Sequence, residues 1–408
     1  MAKYAFKLIL IFSQVFHPDE QSTSQLLSGV LARLAEGSCA LLVVAGFPGL
    51  HCGQLTLSAR ESWRGVQIER VGLRASAKKN LLVRAASYGS YSLAALWRLV
   101  RAPRGSRVFV VTNPPFLPVV AAWCCAVRGH RLKVMLQDIY PEGLVAVGRL
   151  RRTGVVSRLW HGLNRRAFRR ADELWVLGRD MAELVQSHYG VPPGKIRLVP
   201  HWSPVEFASL CTAEQTNLFR ELELEGKFVV QYSGNMGLWH DLAAVVRAAE
   251  LLQADPRVVF LLIGQGRERV PAERLAHELG LKNIRWLPYQ PKERLEDSLS
   301  CCHAALISQR AGLEGVAVPC KLYGILASGR AVVAQVPAAS EVARVVAEER
   351  CGCVVAPGDA QGLADAIAAL VRDPETTARM GARSRAAYLA KYTIEAGTRA
   401  FAAGFAQW

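Results

Sequence analysis

The stretch Val229-Val-Gln-Tyr-Ser-Gly-Asn-Met-Gly237 indicates the fold of the chain, because a short apolar run ends in a turn that carries two glycines. The apolar run predicts a buried strand, and a helix is predicted to begin near Asp241. A strand that enters a helix through a glycine turn begins a βαβ unit. The backbone N–H groups of such a turn suit a phosphate, whereas glycine also permits plain close packing, and the spacing leaves both interpretations open.

Short apolar runs alternate with amphipathic segments on both sides of this stretch, which is the pattern of parallel sheets flanked by helices. The alternation is interrupted at residues 191–206, where four prolines occur, and then begins again. We predict an α/β chain with two doubly wound domains facing across a cleft, with ligands at the carboxyl ends of the strands. The predicted parts are residues 1–200, residues 201–390 and residues 391–408, the last a helix that packs back towards the N-terminal domain. Within the first part, Asn80 is predicted to cap a long helix.

The composition excludes several classes of protein. Of the 408 residues, 51% are apolar and 21% are charged, which is typical of globular domains and not of disordered or fibrous chains. No apolar run approaches the roughly 18 residues that a membrane-spanning helix requires. The first apolar run belongs to a predicted strand at Lys7–Phe12 and lacks the cleavage pattern of a signal peptide. The ten cysteines form no CxxC and are predicted to be reduced thiols.

The charge is distributed unevenly along the chain. Residues 1–200 hold 28 Lys and Arg against 11 Asp and Glu, whereas residues 201–408 hold 22 against 23. The basic N-terminal half is expected to meet an anionic partner, either a membrane surface or nucleic acid. No nucleic-acid-binding motif accompanies the charge, so nucleic acid is not an expected partner.

The segment Arg149–Arg170 concentrates this charge, with eight arginines and no acid, interleaved with apolar residues that include Trp160. We predict a basic amphipathic helix, with Trp160 at its apolar edge, that binds an anionic membrane surface. The alternative is an apolar face buried in the domain with solvated arginines.

A second glycine-rich segment, Gly312–Gly329, combines a carboxylate with a cation. Glu314 lies in the predicted loop, and Lys321 lies in the first turn of a short helix that follows Pro319. We predict that both side chains and the helix N-terminus meet at one place. There the carboxylate accepts hydroxyl groups of a sugar, while the lysine and the helix dipole neutralise a phosphate leaving group. The alternative is a solvated acid and an ordinary surface lysine.

Further candidates follow predicted strands. Gly264, in the sequence Gly-Gln-Gly, is a candidate for phosphate binding, although a plain turn is the favoured interpretation of so short a pattern. Asp138 and Glu142 are expected to line the cleft from the N-terminal side, the alternative for Asp138 being a cap at the end of a strand. His17, in the loop after the first strand, is a candidate general base for an acceptor hydroxyl, although a loop histidine is more often structural.

Four segments, taken in order, resemble the GT-B glycosyltransferases of family four, and among them the bacterial enzymes that build capsule, O-antigen and colanic acid. These segments are Phe16–Asp19, Asp138–Glu142, Ser233–Gly237 and Val318–Arg330. The resemblance implies two Rossmann-like domains, with an acceptor held by the N-terminal domain and a nucleotide-sugar donor held by the C-terminal domain. It also implies sugar transfer with retention and without a metal or other cofactor.

The resemblance also assigns individual residues. Glu314 corresponds to the first glutamate of the family's paired motif and is expected, like Asp138, to lie near the donor sugar, and Lys321 corresponds to a lysine of this subgroup. The implied donor-binding residues are Ser233, Gly234, Asn235, Gly237, Gly264, Lys321 and Leu322. Two positions depart from the family pattern. Gly324 stands where a second glutamate usually holds the ribose, and Leu238 stands where a basic residue often follows the glycine turn.

We therefore expect a metal-independent glycosyltransferase of surface polysaccharide or glycolipid biosynthesis, with Glu314, Lys321, Asp138 and His17 as catalytic residues. The expected partners are a nucleotide-sugar donor, a lipid-linked or saccharide acceptor and an anionic membrane. The expected location is the cytoplasm, on the inner face of the plasma membrane. Two alternatives remain open: a GT-B nucleotide-sugar epimerase, and a catalytically idle binding subunit of a polysaccharide assembly complex, which Gly324 would favour.

Overall fold

The structure, a computed structural model, describes residues 8–37, 39–48, 57–73, 81–207 and 209–408. Within these ranges the strands form two sheets, one from each half of the chain. Helices alternate with the strands in both halves. The predicted class, an α/β chain with two doubly wound domains, is confirmed. Lys7 of the first predicted strand and the predicted helix cap Asn80 lie outside the described residues.

The N-terminal sheet contains eight strands in the part of the chain that the structure describes. They are β1 (Ile9–Phe12), β2 (Leu41–Gly46), β3 (Arg60–Trp63), β4 (Val66–Val71), β5 (Arg107–Val111), β6 (Arg131–Met135), β7 (Glu173–Val176) and β8 (Ile196–Leu198). Their order is β3-β4-β2-β1-β5-β6-β7-β8. All neighbours are parallel except β3 and β4. The helices of this half are α1 (Ser22–Glu36), α2 (Leu81–Arg101), α3 (Leu117–Arg128), α4 (Glu142–Ala146), α5 (Val155–Arg170) and α6 (Arg179–Tyr189).

The C-terminal sheet is entirely parallel. Its strands are β9 (Phe228–Ser233), β10 (Val258–Ile263), β11 (Ile284–Leu287), β12 (Ala304–Ser308), β13 (Ala331–Gln335) and β14 (Gly352–Val355). Their order is β11-β10-β9-β12-β13-β14, the order of a Rossmann domain. The helices are α7 (Asn217–Glu221), α8 (Leu242–Leu251), α9 (Arg269–Glu278), α10 (Leu295–Ser300), α11 (Lys321–Ser328), α12 (Glu341–Glu349), α13 (Ala360–Arg372), α14 (Pro374–Lys391) and α15 (Ile394–Ala406).

The C-terminal sheet is buried on both faces. Along β9, Val229 belongs to one hydrophobic cluster and Val230 to another, because successive side chains of a strand point to opposite faces. All six residues of β10 are buried. Coverage of both faces explains why these strands are continuous apolar runs in the sequence rather than alternating ones.

The last helix, α15, packs against α1 of the N-terminal domain. Its Phe401 and Phe405 are fully buried in the N-terminal core. Their ring centroids lie 4.8 and 5.5 Å from that of Trp175 on β7. The C-terminal segment of the chain thus supplies part of the hydrophobic core of the N-terminal domain.

The order of strands reverses at one point in each sheet, between β1 and β5 and between β9 and β12. Loops that leave the carboxyl ends of such neighbouring strands diverge and open a crevice, which is where doubly wound proteins bind ligands. In the N-terminal sheet the loop after β1 contains His17. In the C-terminal sheet the loop after β9 contains Ser233–Gly237, and the loop after β12 contains Glu314. The two sheets therefore place these candidates at their ligand-binding ends.

No helix among the described residues is long and apolar enough to span a bilayer. The nine cysteines in this part of the chain are free. No group of three or more His, Cys, Asp and Glu side chains able to hold a metal ion occurs in the described ranges.

Candidate active site

The turn after β9 packs directly against the turn after β10. Gly234 has a φ of 133° and Gly264 a φ of 138°, values in the left-handed region that favours glycine. A Cβ atom built on Gly264 would lie 2.0 Å from the carbonyl oxygen of Gly234. Gly264 is therefore required for the close approach of the two turns, in agreement with the plain turn favoured for its short motif. Asn235, at the tip of the first turn, is exposed.

Lys321 reaches this turn from the start of α11. A Cβ atom built on Gly234 would lie 3.6 Å from Cε and 3.7 Å from Nζ of Lys321. Nζ also lies 3.7 Å from the ring centroid of Tyr232, at the end of β9. It is closed to solvent and has no hydrogen-bond partner among the described residues. Burial lowers the pKa of Lys321 from 10.5 to about 7, so the interpretation of an ordinary surface lysine is wrong.

Asp138 approaches the start of α11 from the N-terminal domain. It follows β6 and forms a β-bridge with Ala317 in the loop before α11. The next residue, Ile139, donates its N–H to the carbonyl oxygen of Val316 at 2.9 Å. Burial raises the pKa of the Asp138 carboxyl from 3.8 to about 7. Burial raises the pKa of the Cys320 thiol, which is adjacent to Lys321, and the nearby charges of Lys321 and Asp138 have smaller effects on it.

The loop that carries Glu314 is fixed by contacts with both domains. Asp180 of α6 accepts a hydrogen bond from Gly315 N at 3.0 Å. Gln309 spans the loop, and its Nε2 donates to the carbonyl oxygens of Leu313 and Ala317. Glu314 itself is exposed, and no ion pair joins it to Lys321 among the described residues. The predicted meeting of both side chains at one place is therefore not observed in this state of the protein.

His17 lies at the opposite wall of the cleft, in the loop after β1. Its ring stacks on that of Trp63 with 4.1 Å between centroids. Burial, the largest effect, lowers the pKa of His17 below its usual 6.5, and the ring is neutral at pH 7. Three residues further on, Glu20 forms a 3.9 Å ion pair with Lys292 of the C-terminal domain. The loop of His17 therefore faces the C-terminal domain.

Other predicted residues make structural contacts. The side chain of Leu322 is fully buried in the C-terminal core, and a role of this residue in donor binding stays a prediction. Glu142 accepts a hydrogen bond from His161 Nδ1 of α5 at 3.0 Å and so contacts that helix; the expectation that it lines the cleft stays a prediction. Gly324 is buried in α11, and a Cβ atom built there would meet only Leu299 Cδ1, at an ordinary 3.7 Å. Glycine at 324 is thus not required by close packing.

The basic helix α5 differs from expectation in its aromatic residue. Trp160 is 9% exposed and stacks on Phe116 with centroids 4.2 Å apart, because α3 packs against this side of α5. Trp160 is therefore not at a solvent-exposed apolar edge. The exposed apolar residues of α5 are Val155, Val156 and Leu159.

His240 was not identified from the sequence. It lies beside Lys321, and burial together with the Lys321 charge lowers its pKa to about 3. Its neutral ring donates from Nδ1 to the carbonyl oxygen of Ser308 at 2.7 Å. This hydrogen bond ties the turn after β9 to the end of β12. The only sequence signal was its position between the glycine turn and Asp241, which caps α8.

Comparison with known families identifies both halves of the chain. Residues 25–202 match the family described as glycosyl transferase 4-like domain, and residues 214–387 match the family described as glycosyl transferases group 1. With the two Rossmann-like domains and the cleft between their ligand-binding ends, these matches show that the chain belongs to the GT-B glycosyltransferases of family four. The resemblance drawn from the sequence motifs is confirmed.

Two relatives are similar over part of their length. WbjE of Pseudomonas aeruginosa, named "Probable glycosyltransferase", is 27% identical over 65% of this chain and 66% of its own. WcaI of Escherichia coli K12, named "Putative colanic acid biosynthesis glycosyl transferase", is 26% identical over 63% of this chain and 64% of its own. The aligned regions thus cover slightly less than two thirds of either relative.

Solved structures share the fold over almost the whole chain. HepE of Anabaena, in complex with UDP, has a TM-score of 0.70 at 16% identity and covers 98% of this chain and 100% of its own. Sucrose-phosphate synthase of Thermosynechococcus elongatus has a TM-score of 0.75 at 15% identity, with 98% of both chains covered. WaaG, a glycosyltransferase of lipopolysaccharide biosynthesis, has a TM-score of 0.66 at 15% identity and covers 96% of this chain and 98% of its own.

Proposed function

We propose that this protein transfers a sugar from a nucleoside diphosphate sugar to an acceptor hydroxyl, with retention of configuration and without a metal ion. The observation that carries the proposal is the buried Nζ of Lys321 beside the Gly234 turn, which has no hydrogen-bond partner among the described residues. A buried cation without a counter-ion is unfavourable. A diphosphate bound at the turn would supply the missing negative charge.

The chemistry rests on charge that grows as the glycosidic bond stretches. The leaving diphosphate becomes more negative in the transition state, and Lys321 is proposed to stabilise it together with the backbone N–H groups of Asn235 and Gly237. The N–H groups of Gly234 and Met236 already donate to the carbonyl oxygens of Ile263 and Gln265. Asp138, close to the start of α11, is placed to orient the donor sugar. Glu314, exposed on the loop before α11, is proposed to accept hydroxyl groups of the donor sugar. His17, neutral at pH 7, is placed on the acceptor side, where it can accept the proton of the attacking hydroxyl.

The substrates are proposed by class. The UDP complex of HepE and the names of WbjE and WcaI favour a nucleoside diphosphate sugar as donor and a growing surface polysaccharide or glycolipid as acceptor. The division of labour follows the fold: the C-terminal domain (residues 201–390) holds the donor and the N-terminal domain (residues 1–200) holds the acceptor. Helix α15 (Ile394–Ala406) packs with the N-terminal domain, whereas Tyr392 is buried in the C-terminal core.

A lipid-linked acceptor requires contact with a membrane, and the N-terminal domain offers a suitable surface. Helix α3 packs between α2 and α5, and these three helices contain nine arginines and no acidic residue. Each helix exposes large apolar side chains, namely Leu93 and Trp97 on α2, Trp123 and Val127 on α3, and Val155 and Leu159 on α5. We propose that this three-helix face binds an anionic membrane surface peripherally, on the cytoplasmic side.

The test of the proposed activity uses a panel of nucleotide-sugars with and without lipid-linked saccharide acceptors. Release of nucleoside diphosphate that depends on the acceptor, together with an extended saccharide product, is the expected result. Conversion of the donor into another nucleotide-sugar or free sugar without an acceptor would indicate an epimerase. Binding without any turnover over the whole panel would favour an idle binding subunit and would refute the proposal.

The membrane proposal is tested by sedimentation with vesicles that contain an anionic lipid. Binding is expected at low salt and release at high salt, because each nearby basic residue contributes roughly 1 kcal/mol. Vesicle binding at low salt should weaken when four arginines of α5 are replaced by serine, namely Arg165, Arg166, Arg169 and Arg170. Replacing Trp97 and Trp123 by serine should weaken the part of the vesicle binding that remains at high salt. The matched control replaces four exposed arginines of the other domain, Arg257, Arg274, Arg285 and Arg372. Equal loss in the control would contradict the assignment of this face.

A further inference from the structure

An arginine from a distant part of the chain occupies the place where the family's usual basic residue is missing. Leu238 follows the glycine turn and carries no charge. Arg310, in the loop after β12, donates from Nε to the carbonyl oxygen of Leu238 at 3.0 Å. The backbone N–H of Arg310 donates to the carbonyl oxygen of Trp239 at 2.9 Å. The guanidinium is thus fixed to the residue whose side chain would otherwise supply the cation.

Arg310 and Lys321 lie close to the same buried ring. Both charges contribute to the lowered pKa of His240, after the larger effect of burial. Lys321 contacts the turn at Gly234, whereas Arg310 contacts it at Leu238. The two cations therefore bracket the glycine turn, at the point where the order of strands reverses between β9 and β12.

The guanidinium has capacity for a further anion. One of its terminal nitrogens, Nη2, pairs with Glu268 Oε2 at 2.9 Å. The other terminal nitrogen, Nη1, has no hydrogen bond to any described residue, and the side chain is 40% exposed. An arginine presents five N–H donors in a planar fork that suits phosphate oxygens. Glu268 thus holds the fork in place from one side and leaves donors available on the other.

We propose that Arg310 binds the diphosphate of the donor as a second cation, opposite Lys321, and takes the place of the basic residue absent at position 238. The inference rests on the proposed glycosyltransferase function. In the free protein Glu268 balances the charge of Arg310. When the diphosphate binds to the remaining donors, it shares the guanidinium with Glu268, whose negative charge opposes that of the diphosphate.

The experiment measures affinity by calorimetry for UDP, GDP, ADP and dTDP, and continues with the diphosphate that binds best and its nucleoside. Arg310→Gln should weaken binding of the diphosphate by about 10- to 100-fold, as expected for a lost hydrogen bond to a charged group. Binding of the nucleoside should be unchanged. Arg247→Gln is the matched control, because Arg247 is similarly exposed and pairs with Glu250 on α8. This control should bind the diphosphate as the parent protein does.

A second variant separates anion binding from a purely structural role. Glu268→Gln leaves Arg310 in place and removes the opposing carboxylate, so the diphosphate should bind as tightly as in the parent protein or several-fold more tightly. If Arg310 only braces the turn, Glu268→Gln should weaken binding in the same direction as Arg310→Gln, and the inference is overturned. Parental affinity in a folded Arg310→Gln protein would overturn it equally. If the parent protein binds no nucleoside diphosphate at all, the proposed function itself fails.

Discussion

Replacing Lys321 by methionine is expected to stabilise the free protein and to remove most of its turnover. Methionine keeps an unbranched side chain of similar length above Tyr232 but carries no amine. Nζ is buried without a hydrogen bond among the described residues, and an unsatisfied buried polar group costs about 1–3 kcal/mol. The variant should therefore unfold at a higher urea concentration than the parent protein.

The same substitution should lower kcat by about 10² to 10³, the usual cost of removing one preorganised group at a developing negative charge. Donor KM should change much less, because charge on the diphosphate grows mainly as the glycosidic bond breaks. A gain in stability coupled to a loss of rate would show that the site holds Lys321 in an unfavourable state for its chemistry.

The lowered pKa of Lys321 makes both the stability of the free protein and its binding of a diphosphate depend on pH. The pKa of Lys321 is about 7 in the folded protein against 10.5 ordinarily, so the unfolded chain binds more protons between these values. The buried charge of Lys321 therefore lowers the unfolding free energy by its full amount below pH 7, and this destabilisation decreases as the pH rises from 7 towards 10.5. A bound diphosphate favours the charged amine, so binding should take up protons near pH 8 and should weaken as the pH rises further.

Proton uptake is measured from the binding enthalpy of UDP, or of the diphosphate that binds best, in buffers of different ionisation enthalpy. Urea unfolding and steady-state transfer assays supply stability and kcat. Lys227→Met is the control, since Lys227 is a lysine of the same domain whose Nζ donates to the carbonyl oxygen of Pro256 at the surface. Parental turnover in Lys321→Met, or diphosphate binding without proton uptake at pH 8, would refute the assignment of Lys321 as the cation of the leaving group.

Three further substitutions test the rest of the site. Asp138→Asn should flatten the fall of the unfolding free energy between pH 4 and 7. The pKa of this carboxyl is raised from 3.8 to about 7 in the folded protein, so its contribution to the unfolding free energy falls by roughly 1 kcal/mol per pH unit over that range. An unchanged pH profile in urea unfolding would contradict the burial of Asp138. Glu314→Gln should leave stability unchanged, since the side chain is exposed, but should lower kcat; full activity would exclude the carboxylate from the chemistry. Gly324→Ala should raise the unfolding free energy by about 0.5–1 kcal/mol, because glycine is unfavourable within a helix and there is room for a Cβ atom. Gly324→Glu should tighten UDP binding if the missing carboxylate is a lost ribose contact.

Much of the fold was predictable because it depends on local patterns. The buried strands β9 and β10 are continuous apolar runs, and each is followed by a glycine turn. Strand β3 was missed, since its residues Arg60–Trp63 alternate between exposed and half-buried positions at the sheet edge and lack an apolar run.

Local patterns indicated candidate residues of the site but not their surroundings. Lys321 and the Gly234 turn were predicted to bind the donor because each lies next to a glycine signal in the chain, and this role stays a prediction. Leu322 was assigned to the donor through its neighbour Lys321, and only the structure shows that its side chain is buried in the core. Trp160 was assigned to a membrane-facing edge because the sequence does not show that α3 covers this side of α5.

The sequence by itself therefore determined the class of fold, the division into two halves and the basic character of the N-terminal half. It also indicated the glycine turn at Gly234 and Lys321 as candidates. Each of these features depends on residues that are neighbours along the chain. Only the tertiary structure decided the environment of those residues. Burial at the junction of β9 and α11 shifts the pKa of Lys321, and packing between domains brings Asp138 to the start of α11. The parallel sheet, through the adjacency of β9 and β12, brings Arg310 to Leu238 across 72 residues. Desolvation and long-range contact depend on the whole fold, and no local pattern of residues specifies them.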